Sequence, residues 1–200
     1  METRERVVLK SIGLFTRYGI RQVTMDQIAT ELGMSKRTIY ELFSDKDTLL
    51  WECLETMHRE HNTEINAILN ESSNVIEALY QLGQHGEKKK SSINIMFFED
   101  IRKGYPHLWE TMKKRNKPVT GSFSYLILEK GVKQGIFRDD LNMELVDNFI
   151  HIIMDSFHEK DSYPAGISRT DILKNTIIPY YMGIATEKGR KLIEEYITLL

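Results

Sequence analysis

One cysteine, four prolines and no long apolar run set the first bounds on this 200-residue sequence. A lone cysteine, Cys53, excludes a disulfide framework within the chain and a cysteine-rich zinc site, and it suits the reducing cytoplasm in which we expect the protein to work. Four prolines and twelve glycines are too few for a many-turned all-β sandwich and leave room for long uninterrupted helices. The best apolar stretch, Ile177 to Ala185, is half the roughly 20 residues that a membrane span requires and contains Pro179 and Gly183. The polar start Met1-Glu2-Thr3-Arg4-Glu5-Arg6 gives no expectation of a secretory leader.

An excess of positive charge is missing too. Lys and Arg number 27 against 29 Asp and Glu, for a net charge of -2, whereas a nucleic-acid binder is usually inferred from a basic balance. The charges are nearly even before residue 50 and mildly acidic after it. What the chain does have is 41% hydrophobic and 28% charged residues, enough to build a core and to solvate its surface. The length fits one large domain or two small ones.

Periodicity points to helix nearly everywhere. Val8, Ile12 and Phe15 fall at i, i+4 and i+7, so residues 4–18 form a first amphipathic helix closed by Gly19. Met25, Ile28, Ala29 and Leu32 repeat the pattern in a shorter segment, entered through a Thr24-x-x-Gln27 capping box with Val23 and Ile28 as its staple. Gly33 ends that segment, and Ser35 caps another of about two turns. From the polar start at Ser44-Asp45-Lys46-Asp47 a long helix over 45–69 is expected, then helices over 75–86, 90–103, 106–117, 118–133, 143–158, 170–184 and 187–199. This places the run Lys88-Lys89-Lys90 at a helix junction, as a solvated face. Pro118 opens its helix or kinks a longer one.

The most informative window is Val23 to Leu50. Two short helices, a tight turn at Gly33 and a small Ala29 at the crossing are the parts of a helix-turn-helix. A second helix lying in the major groove needs short, donor-rich side chains at its start, and Ser35, Lys36, Arg37 and Thr38 provide them. Lys36 and Arg37 lie about 100° apart on the helix, so one faces base edges while the other reaches a phosphate. Which does which stays open. Tyr40 carries a hydroxyl that can donate to phosphate, and Lys46 puts a cation in a helix first turn, where the macrodipole disfavours it unless an anion lies nearby.

This window resembles the TetR family of bacterial transcription regulators. The likeness runs from Phe15-Thr16-Arg17-Tyr18-Gly19 through Thr24, Ile28-Ala29 and Leu32-Gly33-Met34-Ser35 to Thr38-Ile39-Tyr40, Phe43, Lys46-Asp47 and Leu49. The resemblance implies an all-α protein with a helix-turn-helix head over residues 1–47 and a helical ligand-binding and dimerisation domain over 48–200. It also implies that Thr24, Ser35, Lys36, Arg37, Thr38, Tyr40 and Lys46 approach double-stranded operator DNA.

The second domain is less legible. Leu50, Leu54, Met57, His61, Ile65 and Ile68 follow helical spacing, so His61 stands on an apolar stripe as a core histidine or a pocket residue. Aromatic and Met residues crowd the middle of the chain, and we assign Met57, His61, Tyr80, Met96, Phe97, Tyr105, Trp109, Tyr125 and Phe149 to a pocket for an apolar or aromatic effector. Residues 143–158 and 170–184 are apolar on more than one side and must be covered twice. In the TetR family such helices pair across a two-fold axis, which implies a homodimer interface at Phe149, Ile153, Phe157, Ile177, Tyr181 and Ile184. His58 and His61 lack the further ligands of a metal site, and neither metal nor cofactor is expected. No nucleophile, base and orienting group stand out as a set, so an enzyme is not expected. A helical protein-interaction module without DNA binding is the remaining alternative.

Overall fold

A computed structural model describes residues 2–115, 122–156 and 166–198, and among these the expected all-α architecture holds, with one isolated antiparallel bridge between Phe137 and Ala185 in place of any strand. The helices are α1 (Thr3–Tyr18), α2 (Met25–Leu32), α3 (Lys36–Leu42), α4 (Lys46–Glu71), α5 (Val75–Ser92), α6 (Ile95–Gly104), α7 (Pro106–Arg115), α8 (Phe123–Lys133), α9 (Met143–Ser156), α10 (Arg169–Ile172), α11 (Ile178–Ile184) and α12 (Glu187–Ile197). The chain divides into two compact units: Met1–Ala67 with Gly83–Lys113, and Ile68–Leu82 with Lys114–Leu200. The expected head, residues 1–47, falls within the first.

In the first unit the apolar positions read from periodicity converge on one core. Phe15 of α1, Ile28 of α2, Ile39 of α3, Leu49 and Leu50 of α4 and Ile101 of α6 are all fully buried. Each such side chain contributes about 1.5–3 kcal/mol by leaving water. Cys53 is part of this core: its thiol lies 3.6 Å from the Val8 carbonyl, and burial pushes its pKa up, as expected of an inert structural thiol.

The second unit packs Val75, Ala78, Leu128, Ile136 and Phe137 against α11 and α12. Thr186 caps α12 by accepting the Gly189 N–H at 3.1 Å, and its own hydroxyl donates to the Gly135 carbonyl at 2.7 Å. A side chain at Gly189 is not possible there, since a Cβ would stand 2.1 Å from the Ile136 carbonyl oxygen.

Three helix boundaries differ from expectation. The Lys88-Lys89-Lys90 run lies inside α5 rather than at a junction, because nothing before Ser92 stops a helix and the effective break is Asn94, whose side chain caps α6 by accepting the Met96 N–H at 2.9 Å. The helix expected over 118–133 starts at Phe123, capped by Ser122; Pro118 lies outside the described residues. The single helix expected over 170–184 contains a π-turn at Leu173–Ile177, with the Ile178 N–H bonded to the Leu173 carbonyl. Pro179 explains the turn: a proline inside an α-helix has no N–H to give and crowds the carbonyl four residues before it, and the wider turn relieves both problems.

Candidate nucleic-acid interface

The head's geometry is set by three backbone devices. Thr24 Oγ1 accepts the Gln27 N–H at 3.1 Å and starts α2. At the other end Gly33 takes φ 64°, the Met34 N–H reaches the Ala29 carbonyl at 2.9 Å and the Gly33 N–H reaches Thr30 at 3.1 Å, the paired bonds of a Schellman stop. Ser35 Oγ then accepts the Thr38 N–H at 3.1 Å and starts α3. Caps of this kind are worth about 1 kcal/mol each. Together they turn the chain within three residues and bury Ile39 beneath α3.

Burial on one side exposes the other. Ser35, Lys36, Arg37 and Tyr40 are exposed and Thr38 is half-buried, so the sequence-expected donors share the outer face of α3, with Thr24 exposed at the start of α2. Lys36 Nζ pairs with Asp26, and Arg37 Nε donates to Glu41 Oε1 at 2.7 Å. Both pairs stand in water and contribute little to stability, so exchanging their carboxylates for DNA phosphates costs little.

Lys46 behaves differently. Its ammonium turns inward, donates to the Ile20 carbonyl at 2.5 Å and lies 5.9 Å from the centre of the Phe15 ring. Burial pulls its pKa down, with the charges of Asp100 and Asp47 opposing. A main-chain carbonyl thus answers the first-turn cation without an external anion. The start of α4 is further fixed by Asp45, whose Oδ1 accepts the Thr48 N–H at 2.7 Å.

Sequence reasoning passed over Asp100. This carboxylate is 4% exposed on α6, accepts the Arg21 N–H at 2.9 Å and lies 3.6 Å from the Arg21 guanidinium. Beside it the Asn94 N–H donates to the Thr16 carbonyl at 2.8 Å and the Asn94 amide to Arg17 at 3.2 Å. The end of α1 and the loop into α2 are therefore gripped by α6. A signal existed: Asp100 stands three residues after Phe97 and one before Ile101, on the apolar face of its helix.

The residues assigned to a pocket fall into two groups. In the first unit Phe97 is fully buried, with Met57, Tyr105 and Trp109 packed against the same core, while Met96 and His61 are exposed. His61 thus interrupts the apolar stripe of α4 instead of joining the core. In the second unit Tyr80 sits 5.5 Å from the Tyr196 ring, Phe149 sits 4.9 Å from Tyr180, and Tyr125 lies half-buried in the first turn of α8.

Of the residues assigned to a dimer interface, Phe149 is exposed and Ile153, Ile177 and Tyr181 are half-buried. Ile184, at 7% exposure, belongs to the core of its own unit, in the cluster that holds Phe137, Ala185 and Ile193. Phe157 lies outside the described residues. Leu145 and Ile152, 66% and 58% exposed, were not assigned to that interface, yet with Phe149 they complete an i, i+4, i+7 stripe on α9.

Residues 10–53 match the family described as "Bacterial regulatory proteins, tetR family". The chain is 25% identical over 189 residues to the "Uncharacterized HTH-type transcriptional regulator YvaF" of Bacillus subtilis, covering 92% of this chain and 96% of that protein. A TetR-family regulator from Cytophaga hutchinsonii has a similar fold, with a TM-score of 0.64 at 15% identity over 92% of this chain and 96% of the other. So does a regulator from Saccharomonospora viridis solved in complex with choline, with a TM-score of 0.56 at 20% identity over 92% and 98%.

Proposed function

The chain belongs to the TetR family of bacterial transcription regulators, and from that premise we propose that it is a homodimeric repressor of a pseudo-palindromic operator, released by a small ligand with an apolar or aromatic body. The observation that carries the DNA reading is the outer face of α3, where Ser35, Lys36, Arg37, Thr38 and Tyr40 stand above a helix anchored by Ile39. A dimer would set two such helices roughly 34–36 Å apart, one turn of B-DNA, so that both halves of a palindrome are read together. Phosphate contacts from Tyr40 and one of the two cations fix the register, and the other cation reads a base. Lys46 serves the same contact indirectly by holding the loop that leads into α2.

The exposed stripe of Leu145, Phe149 and Ile152, with Ile153, Ile177 and Tyr181 beside it, supports the homodimer, because an apolar helix face in water calls for a cover. Helix α4, which starts at Lys46 and contributes residues to both units, and α6, which holds the α1–α2 loop through Asp100, are the elements through which a ligand would alter the head. A ligand that binds better to a state with the heads misplaced lowers the population able to bind DNA. The choline complex of the Saccharomonospora viridis regulator supports a small ligand as the signal.

No membrane-spanning helix occurs among the described residues, and we place the regulator in the cytoplasm beside its DNA. Selection of bound fragments from the source genome, followed by footprinting, tests the reading. A protected palindrome upstream of a gene supports it, and retention of no fragment at low salt contradicts it.

A further inference from the structure

Helices α2 and α3 end alike, in Glu31-Leu32 and Glu41-Leu42, and neither carries a basic residue in its last turn. A carboxylate at that end opposes the helix macrodipole, and the last carbonyls have no donor within their own helix. Side chains of α1 supply what is missing. Arg6 donates through Nη2 to the Leu32 carbonyl at 2.9 Å, and Lys10 lies 2.8 Å from the Glu31 carboxylate. Arg4 donates through Nη1 to the Leu42 carbonyl at 2.6 Å.

Arg4 does more than close α3. Its Nε donates to both carboxylate oxygens of Glu52 on α4, each at 3.0 Å, and Nη2 donates to Oε2. The guanidinium carbon stands 4.2 Å from the centre of the ring of Phe43, the buried residue that terminates α3. One planar cation therefore holds a carbonyl of α3 and a carboxylate of α4 while packing on the ring that follows α3. The fork of a guanidinium addresses both acceptors at once, whereas an ammonium is a single point. Both partners are half-buried, unlike the exposed pairs of Lys36 and Arg37, so water and salt screen this one less.

The consequence follows from the length of α3. At seven residues it has few ladder bonds of its own, so its direction is set by what holds its two ends. Ser35 fixes the first turn, and Ile39 fixes the buried side. At the last turn the Phe43 N–H closes on the Ile39 carbonyl at 2.9 Å, and Arg4 ties that turn to the second turn of α4 through Glu52.

We propose that Arg4 is a positioning residue for DNA reading: held by Glu52, it fastens the end of α3 to α4 and fixes the angle at which Lys36, Arg37 and Tyr40 meet the duplex. The proposal rests on the reading of α3 as the DNA-facing helix. Arg4 makes its hydrogen bonds within the protein, so its effect on affinity passes through the orientation of α3 and not through a phosphate. A tilt of α4 reaches α3 by the same route. The two roles open to an arginine here differ in sign at Glu52. A phosphate-binding cation is freed by loss of its carboxylate and affinity rises, whereas a clamp is broken by that loss and affinity falls.

The test is binding of the full chain and of Glu52→Ala, Arg4→Lys and the double variant to a duplex selected with the wild-type protein, measured against salt at a temperature where thermal melts show each protein folded. Glu52→Ala and Arg4→Lys should each lower affinity about tenfold, on the order of one weakened base contact, with the salt slope unchanged. The double variant should be no weaker than the weaker single one, since both break one link. Arg4→Lys, which keeps the charge, carries the test even if Glu52→Ala does not fold. Tighter binding by Glu52→Ala, wild-type binding by Arg4→Lys, or losses that add in the double variant overturns the proposal. Amide exchange of the DNA-free protein reads the fastening by itself. The Phe43 N–H should exchange faster in both variants while the Tyr105 N–H, at the end of α6, keeps its rate. An unchanged Phe43 rate overturns the proposal whatever DNA does. If the wild-type protein binds no DNA, the regulator reading fails and the Phe43 rate still decides the fastening; if it binds and the variants match it, the regulator reading stands and the positioning role falls.

Discussion

Asp100 accepts the main-chain N–H of Arg21 at 2.9 Å, and this hydrogen bond fixes the loop that enters the helix-turn-helix to α6. Lys46 holds the preceding carbonyl, that of Ile20, from the start of α4. Adjacent residues of one loop are thus tied to two helices, and the tilt of α2 and α3 depends on both ties.

Removing the first tie should loosen the head. Asp100→Ala leaves the Arg21 N–H without its acceptor, and a loss of about 1–3 kcal/mol in urea unfolding is expected. Asp100→Asn keeps an acceptor and should cost less. In both, operator affinity should fall with no change in base preference, measured by mobility shift on a set of single-base operator variants.

Lys46 and the α3 residues should separate by salt dependence. Tyr40→Phe should weaken binding across all sequences, and loss of the phosphate-bound member of the Lys36 and Arg37 pair should lower the slope of log affinity against log salt by about one. The other member should change base preference. Lys46→Met should reduce affinity with the slope unchanged, because its ammonium is bonded to Ile20. A reduced slope for Lys46→Met would place that ammonium on phosphate instead.

Gly33 adopts φ 64°, which residues with a side chain adopt only under strain. Gly33→Ala should therefore destabilise the protein by about 1–2 kcal/mol and weaken operator binding, even though no heavy atom lies within 4 Å of the added methyl group. Chemical unfolding of the pair measures the strain. An unchanged midpoint would remove the argument from the turn.

Acid should attack the start of α4. Hydrogen bonds from Thr48, through its backbone N–H and its hydroxyl, hold the Asp45 carboxyl below its usual value of 3.8. Its folded pKa is the lower one, so its contribution is fully present above the unfolded value and is lost as pH falls through the folded value. Thermal melts of wild type and Asp45→Asn should differ at pH 7, begin to approach each other below about pH 4 and meet only below the folded pKa.

The dimer prediction rests on Leu145, Phe149 and Ile152. Leu145→Glu combined with Ile152→Glu should shift the protein from dimer to monomer in sedimentation at micromolar concentration, without lowering the helix content. A wild-type monomer under those conditions would contradict the homodimer.

The head was legible because its signals are local. Thr24, Gly33 and Ser35 act through bonds that span three to five residues, and the spacing of Ile28 and Ile39 announces which side is buried. The inward turn of Lys46 was not legible, since Ile20 lies 26 residues earlier and nothing in either neighbourhood marks the pairing. The partner of Asp100 escaped for the same reason: its place on an apolar helix face marked it, but Arg21 lies 79 residues earlier. The π-turn before Pro179 and the continuation of α5 past the lysines show the converse error, in which a local signal was weighed without its backbone consequence.

The most direct test of the central claim is the affinity of the intact protein for a palindromic duplex recovered from its genome, measured against salt and against a scrambled duplex. The account predicts specific binding that weakens steeply with salt, and a variant with Lys36, Arg37 and Tyr40 all replaced by alanine that no longer separates the two duplexes. Equal affinity of the wild-type protein for both, or no change in that variant, would contradict it.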